Sequence, residues 1–249
     1  GLDVAVAVVD RVLEGRHGVL RRVGGTAAVG ERDRSVGLQV GVQREPHRPS
    51  IVRGMTETIT VRAPYDGAVI GEIPAMTAAD VDTAVGRARQ ALREQALPLW
   101  KRAEILDRAA QQLAERRDEF AEIIAREAAK PIRTARVEAE RAVGTFHFCA
   151  AEARTLSGEM IALDAIPAGE GKLGFTMRVP IGVVGAIAPF NFPLNLVVHK
   201  VGPAIAAGCP VVLKPASQTP FSSLALARML IDECGLPADH LQVVTGGGS

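Results

Sequence analysis

Ile181-Gly182-Val183-Val184-Gly185-Ala186-Ile187-Ala188 is the run whose reading decides the fold. It is apolar on both alternating faces, as a strand buried in a parallel sheet is, and it closes at Pro189. Leu194–Ala207 then reads as a helix with Gly208 as its cap. Cys209–Lys214 is a second apolar strand, Pro220–Cys234 a second helix capped by Gly235, and Leu241–Thr245 a third strand running into Gly246-Gly247-Gly248. Strand, helix, strand, helix, strand with short connections predicts a parallel sheet with right-handed crossovers. Such sheets bind ligands at the carboxyl ends of their strands. Those ends are Ala188–Asn191, Lys214–Ser217 and Thr245–Ser249.

Upstream of this run the texture is helical. Thr77 with Asp80 three residues on predicts a helix cap, with a helix to about Arg93 that carries Val81, Val85, Ala88 and Leu92 on one face. Pro98 breaks it. Leu99–Ala129 reads as a long helical stretch in one or two pieces, striped by Ile105, Leu106, Ala109 and Leu113; Pro131 stops it, and a further helix runs to about Leu156, closed by Gly158. Ile59–Arg62 and Ala68–Ile73 read as short strands about a turn at Ala63–Gly67, and Leu173–Arg178 as another strand.

Residues 1–54 differ. They hold nine Gly, nine Arg and twelve Val but no Lys, Phe, Trp, Tyr, Asn or Met, and glycines interrupt each candidate helix or strand. Two readings compete: an Arg-rich N-terminal extension, and upstream sequence translated ahead of a start at Met55. Composition favours the second, and the segment is expected to be poorly ordered. The chain as a whole has 249 residues, 47% hydrophobic and 23% charged, with net charge +1, so nothing marks it as a nucleic-acid or membrane-surface binder. Val179–Val198 is apolar, yet three prolines, two glycines and two asparagines make it a poor membrane span. Cys149, Cys209 and Cys234 are odd in number and form no CxxC, which argues against a disulfide framework or structural zinc and for a reducing, cytoplasmic compartment.

Three features at the predicted ligand edge bear chemistry. Asn191 lies between Pro189 and Pro193, which restrict the backbone and allow a side-chain amide to be aimed as an oxyanion donor; helix capping is the commoner job for such an Asn. Lys214 follows three apolar residues and is placed to meet ribose hydroxyls or a phosphate, or simply to be solvated; Ser217 is a ligand-facing hydroxyl or a loop residue. Gly246-Gly247-Gly248-Ser249 reads as a phosphate cradle or as a flexible linker. There is no G-x-G-x-x-G after a strand and no P-loop motif.

Taken together, Arg178-Val179-Pro180-Ile181-Gly182-Val183-Val184-Gly185, Pro189-Phe190-Asn191-Phe192-Pro193-Leu194, His199-Lys200-Val201-Gly202-Pro203-Ala204-Ile205-Ala206-Ala207-Gly208 and Val212-Leu213-Lys214-Pro215-Ala216-Ser217-Gln218-Thr219-Pro220 closely resemble the aldehyde dehydrogenase superfamily. The strongest block is 178–248, the helices of 64–158 look like that family's N-terminal part, and 1–54 do not resemble it. The resemblance implies an α/β fold, aldehyde dehydrogenase-like, with N-terminal helices followed by a Rossmann-like parallel sheet, truncated before the catalytic domain. It makes 55–249 a partial cofactor-binding domain that includes strands of the oligomerisation extension near 159–179.

The implied activity is NAD(P)-dependent oxidation of a small aldehyde to a carboxylic acid by the full-length enzyme, a homodimer or homotetramer. In the family the Asn in the position of Asn191 helps hold the oxyanion. Residues matching Ile187, Ala188, Pro189 and Phe190 line the cofactor channel, and residues matching Lys214, Ala216, Ser217 and Gly248 complete the cofactor site. Lys200 matches a lysine near the active site. NAD-preferring members often carry Glu where Ser217 stands, so a neutral Ser points to NADP as well as NAD. The Pro-Phe-Asn-Phe-Pro region is similar to members that act on small hydroxy- or semialdehydes.

The family's Glu-Leu-Gly-Gly, its Gly-Gln-x-Cys nucleophile and its Phe-Thr-Gly-Ser turn are absent from these residues. This chain alone is therefore expected to be inactive, and to associate through the surfaces a catalytic domain normally covers. The alternative is a non-catalytic nucleotide-binding or scaffolding fragment.

Overall fold

The computed structural model describes residues 57–247 and the backbone of 4–10. In chain order the strands and helices are β1 (Val4–Asp10), β2 (Thr58–Arg62), β3 (Val69–Pro74), α1 (Ala78–Glu94), α2 (Leu99–Glu115), α3 (Arg117–Ala128), α4 (Ile132–Thr155), β4 (Met160–Ile161), β5 (Lys172–Arg178), β6 (Val184–Ile187), α5 (Asn195–Ala207), β7 (Val211–Lys214), α6 (Phe221–Asp232) and β8 (Leu241–Val243). They divide into two units: residues 57–156 with 179–247, and β1 with 157–178.

In the first unit the strand-helix alternation closes as expected. β6, β7 and β8 form a parallel sheet in that order, with Val184 opposite Val211, Ile187 opposite Lys214 and Leu213 opposite Val243. β7 is the middle strand and Val211, Val212 and Leu213 are buried on both its faces. β6 differs from expectation: Gly185 and Ile187 are exposed while Ala186 between them is buried, so one face of the strand is open among the described residues. α5 ends at Gly208, a left-handed residue at φ +80°, as expected, whereas α6 stops at Asp232 with Glu233 as its C-cap, and Gly235 at φ +81° turns the chain three residues on.

The capping box on α1 forms as read, with Thr77 Oγ1 accepting from Asp80 N–H at 3.3 Å and Asp80 Oδ2 accepting from Thr77 N–H at 2.8 Å. Its buried residues are Ala84, Ala88 and Ala91; of the expected stripe Ala88 is buried, Val85 and Leu92 are half-buried and Val81 is exposed. The reading weighted the large side chains, whereas α1 turns its small ones inward. The long stretch after Pro98 does divide, at Arg116, into α2 and α3, and Ala129 at φ 51° ends α3 just ahead of Lys130-Pro131. One core runs from Ile105, Leu106, Leu113, Phe120 and Phe146 on α2, α3 and α4 to Leu213, Leu226 and Leu230 in and around the sheet. Buried alanines on facing α2 and α4, among them Ala109, Ala110, Ala139 and Ala142, suit a close approach of the two helices. Among the described residues, no helix is long and apolar enough to cross a membrane.

The second unit is an antiparallel sheet in the order β1-β5-β4, with Val4 opposite Arg178 and Asp10 opposite Lys172. The sequence predicts no strand before Met55, yet Val4–Asp10 is one, and its partner, Lys172–Arg178, lies far along the chain. The rest of 1–54 lies outside the described residues. Gly158 is not a helix cap. α4 ends at Thr155 with Leu156 as its C-cap, and Gly158 has no left-handed φ. Glycine is required there because a Cβ would stand 1.6 Å from the Thr176 carbonyl oxygen, beside the Thr176 N–H bond to the Glu159 carbonyl at 2.8 Å. Backbone cannot rotate away as a side chain can, so Gly158→Ala should cost this unit about 2 kcal/mol. Amide exchange at Thr176 should then quicken by about thirtyfold, with the α4 amides unchanged; an unaltered Thr176 would contradict this account.

Candidate functional site

The carboxyl ends of the three parallel strands lie side by side. Pairing continues past the strands: Ala188 N–H donates to the Lys214 carbonyl at 3.0 Å and Val244 N–H to the Leu213 carbonyl at 2.9 Å. The two groups of residues that sequence places at this edge then meet on one atom. The Gly246 carbonyl accepts from Lys214 Nζ at 3.1 Å and from Ser217 Oγ at 2.5 Å. Gly246 is held in turn by its neighbour: the Thr245 carbonyl accepts from Met76 N–H at 2.8 Å, and Thr245 Oγ1 donates to the Pro74 carbonyl at 2.5 Å. The link from β3 to α1 therefore fixes the height of the segment after β8.

Ala188 is buried, while Ile187 is 72% and Phe190 58% exposed, with Pro189 exposed between them. An aliphatic and an aromatic side chain thus stand open beside a half-buried ammonium and hydroxyl. Ala216 is half-buried on the same loop as Ser217. Gly248 lies outside the described residues. Asn191 is exposed on the loop from β6 to α5, and Lys200 is half-buried on α5. The structure joins Ile187, Ala188, Lys214 and Ser217 by direct bonds and register; Asn191 lies on the loop that leaves β6 and Lys200 on α5, with no such bond to this group.

Asn191 is not the helix cap that its spacing favours. α5 begins at Asn195 with Leu194 as N-cap and no side-chain capping bond from it. Its first N–H groups go instead to Glu138 on α4, whose Oε1 accepts from Leu194 N–H at 3.0 Å and Asn195 N–H at 3.1 Å. α6 is treated the same way. Glu127 on α3 accepts from Phe221 N–H at 2.7 Å, Ser222 N–H at 3.1 Å and Ser222 Oγ at 2.5 Å. Burial pushes the Glu127 carboxyl up to about 7, against the hydrogen bonds from Ser222 and Phe221; the nearby Glu138 charge pushes the same way as burial.

Sequence reading missed both glutamates. The available signal was their place on buried stripes: Glu138 lies between Ala135 and Ala142, and Glu127 follows Phe120 and Ile124. Their chemistry has a consequence for anions. Helix N-termini after parallel strands are ready phosphate sites, but here both are already filled by protein carboxylates.

The cysteines sit apart from this chemistry. All three are buried, and burial pushes the Cys149 and Cys234 thiols up to about 11. A thiol so raised supplies little thiolate near neutrality. Among the described residues no group of three or more His, Cys, Asp or Glu is placed to hold a metal ion.

The model of the aldehyde dehydrogenase family matches residues 51–249. 3-Sulfolactaldehyde dehydrogenase of Priestia aryabhattai is 47% identical over 193 residues, which is 78% of this chain and 40% of that protein. The structure of glyceraldehyde-3-phosphate dehydrogenase GapN from Methanocaldococcus jannaschii complexed with NADP is 37% identical, with a TM-score of 0.69 over 76% of this chain and 41% of its own. PnpE in complex with nicotinamide adenine dinucleotide is 36% identical, with a TM-score of 0.72 over 77% of this chain and 39% of its own; PnpE from Pseudomonas sp. WBC-3 is also similar. The chain spans about 40% of the length of the relatives it matches, and its mixed α/β fold corresponds to the N-terminal part of their structures. By sequence and by fold, the chain belongs to the aldehyde dehydrogenase family.

Proposed function

We propose that these residues form the cofactor-binding part of an NAD(P)-dependent aldehyde dehydrogenase that oxidises a small aldehyde to the acid, the complete reaction belonging to the whole protein. The observation that carries this reading is the meeting of Lys214 and Ser217 on the Gly246 carbonyl beside exposed Ile187. The donor set suits a dinucleotide: an aliphatic face for a flat ring, an ammonium and a hydroxyl for ribose hydroxyls, and no carboxylate to repel a 2′-phosphate. Ile187, Ala188, Pro189 and Phe190 would line the bound dinucleotide, with Lys214, Ala216, Ser217 and Gly248 around its adenosine end. Bound there, a nicotinamide would supply the hydride acceptor.

Asn191 then serves the aldehyde. Its side-chain amide donates to the carbonyl oxygen as negative charge grows there, and Pro189 and Pro193 limit how far the donor can wander. Lys200 supports the same region with a positive charge. The strands in 157–178 serve as the oligomerisation extension of a homodimer or homotetramer.

The test is a titration of the 249-residue chain with NADP and with NAD. Both should bind saturably, and no aldehyde should drive NADPH formation, since the described cysteines are buried thiols. Lys214→Met should weaken both cofactors about tenfold, the effect of removing one charged hydrogen bond. No binding of either cofactor, or turnover by the chain alone, would overturn the reading.

A further inference from the structure

The loop that carries Asn191 is fastened by a pair of residues outside it. Glu138 on α4 has a fully buried side chain, and its Oε1 takes the N–H groups of Leu194 and Asn195. Its Oε2 takes Lys130 Nζ at 2.5 Å. The same ammonium lies 4.0 Å from the centroid of the Phe192 ring, an attraction between cation and ring face that strengthens as water is excluded. Lys130 reaches this place from the link between α3 and α4, just after the left-handed turn at Ala129.

Counting along the loop, Ala188 is bonded to β7, Phe192 sits under the ammonium, and Leu194 and Asn195 are bonded to Glu138. Between those fixed points lie Pro189, Phe190 and Asn191, the first with its φ locked. A buried ion pair is a weak source of stability, since well-packed apolar residues do as well or better. What it supplies is a defined geometry, and here the geometry belongs to the loop of Asn191.

We propose that Glu138 and Lys130 are positioning residues for Asn191: the Lys130 ammonium, shared between the Glu138 carboxylate and the Phe192 ring, holds the loop so that the Asn191 amide keeps one orientation. This rests on the reading of Asn191 as the oxyanion donor, and extends it to two residues that touch neither substrate nor cofactor.

The experiment uses the isotopically labelled 249-residue chain. Amide exchange is followed at Leu194 and Asn195, and relaxation at the Asn191 side-chain amide. Lys130→Met should speed exchange at Leu194 and Asn195 about tenfold and loosen the Asn191 amide, while Leu106 and Leu113 in α2 keep their protection. Glu138→Gln, which keeps an acceptor oxygen but loses the ion pair, should act in the same direction. Lys130→Arg, which keeps a cation over the ring, should restore most of the order. An unmoved loop in both Lys130→Met and Glu138→Gln, or equal loss of protection in α2, would overturn the proposal. NADP titration of the unaltered chain separates the two readings: a loop that loosens as expected in a chain that binds no NADP upholds the positioning role and sinks the cofactor edge.

Discussion

Glu127→Ala should destabilise the first unit by about 4 kcal/mol, a large share of the stability of an ordinary single domain. The carboxylate is the shared acceptor for one buried and one part-buried N–H group and one buried hydroxyl at the start of α6. Each buried donor left without a partner costs about 1–3 kcal/mol, and alanine leaves all three. A helix N-terminus also loses a negative charge placed where its dipole favours one. Urea unfolding checks the figure; a drop below about 1 kcal/mol would mean that water replaces the carboxylate, and that the cap is not structural.

The same residue gives stability a pH dependence with a definite sign. The folded carboxyl titrates at about 7, above its ordinary value of 4.5, because burial outweighs the hydrogen bonds. The folded state therefore holds the extra proton between these values, and its contribution is fully present below 4.5. Stability then falls as pH rises to about 7 and is level above it, a change of about 3 kcal/mol at most. The Ser222 hydroxyl makes both states feasible, since it donates to the carboxylate and can turn to accept from the protonated acid. Glu127→Gln should flatten this slope between about pH 5 and 7. A wild-type curve that rises over the same range would show that the three donors and the helix dipole win over burial.

Much of the architecture is legible in the sequence, for local reasons. Buried parallel strands are short apolar runs, and helices are bounded by Pro98, Pro131 and Gly208, residues whose backbone limits act where they stand. What escapes reading is set by distant partners. The α1 face is misjudged because its neighbours want small side chains, so Ala84, Ala88 and Ala91 outrank Val81. Val4–Asp10 becomes a strand through β5, on the far side of all four N-terminal helices in the chain. Gly158 reads as a cap from its place after a helix, yet it answers to the Thr176 carbonyl.

The site divides along the same line. Lys214 and Ile187 are found because a strand end is a local feature and the two are in register. The glycine run from Gly246 is also found at that edge; that its first carbonyl gathers Lys214 and Ser217 is not, since those contacts join residues 32 and 29 positions apart in the chain. Glu127 and Glu138 are missed for a different reason. A glutamate in a helix is read as solvated, and only its coincidence with an alanine stripe argues otherwise. Those two acids also explain why no glycine-rich phosphate motif follows β6 or β7: a loop whose helix N-terminus already holds a carboxylate has no use for one.

Ser217→Glu should lower NADP affinity about a hundredfold while leaving NAD within about threefold. The 2′-phosphate of NADP brings a charge of about −1.5 to −2 to the adenosine end of the cofactor. A carboxylate placed about 5 Å away, in a half-buried setting of intermediate effective dielectric, opposes it by about 2–3 kcal/mol. Lys214 adds to the loss, because its ammonium, now beside the introduced carboxylate, is drawn from the phosphate. NAD carries ribose hydroxyls at that point, which the new carboxylate can accept from, so its affinity is largely retained.

The substitution also removes the hydroxyl that donates to the Gly246 carbonyl, and Ser217→Ala isolates that part. Lys214 still holds the carbonyl in that variant, so Ser217→Ala should weaken NADP by no more than about fivefold, the worth of one neutral hydrogen bond. The discrimination created by Glu should shrink as salt is raised, as a partly exposed charge repulsion does. Equal losses for NADP in the Ala and Glu variants would place the cause in the Gly246 segment rather than in charge. Unchanged NADP affinity in Ser217→Glu would remove residue 217 from the 2′-phosphate site altogether.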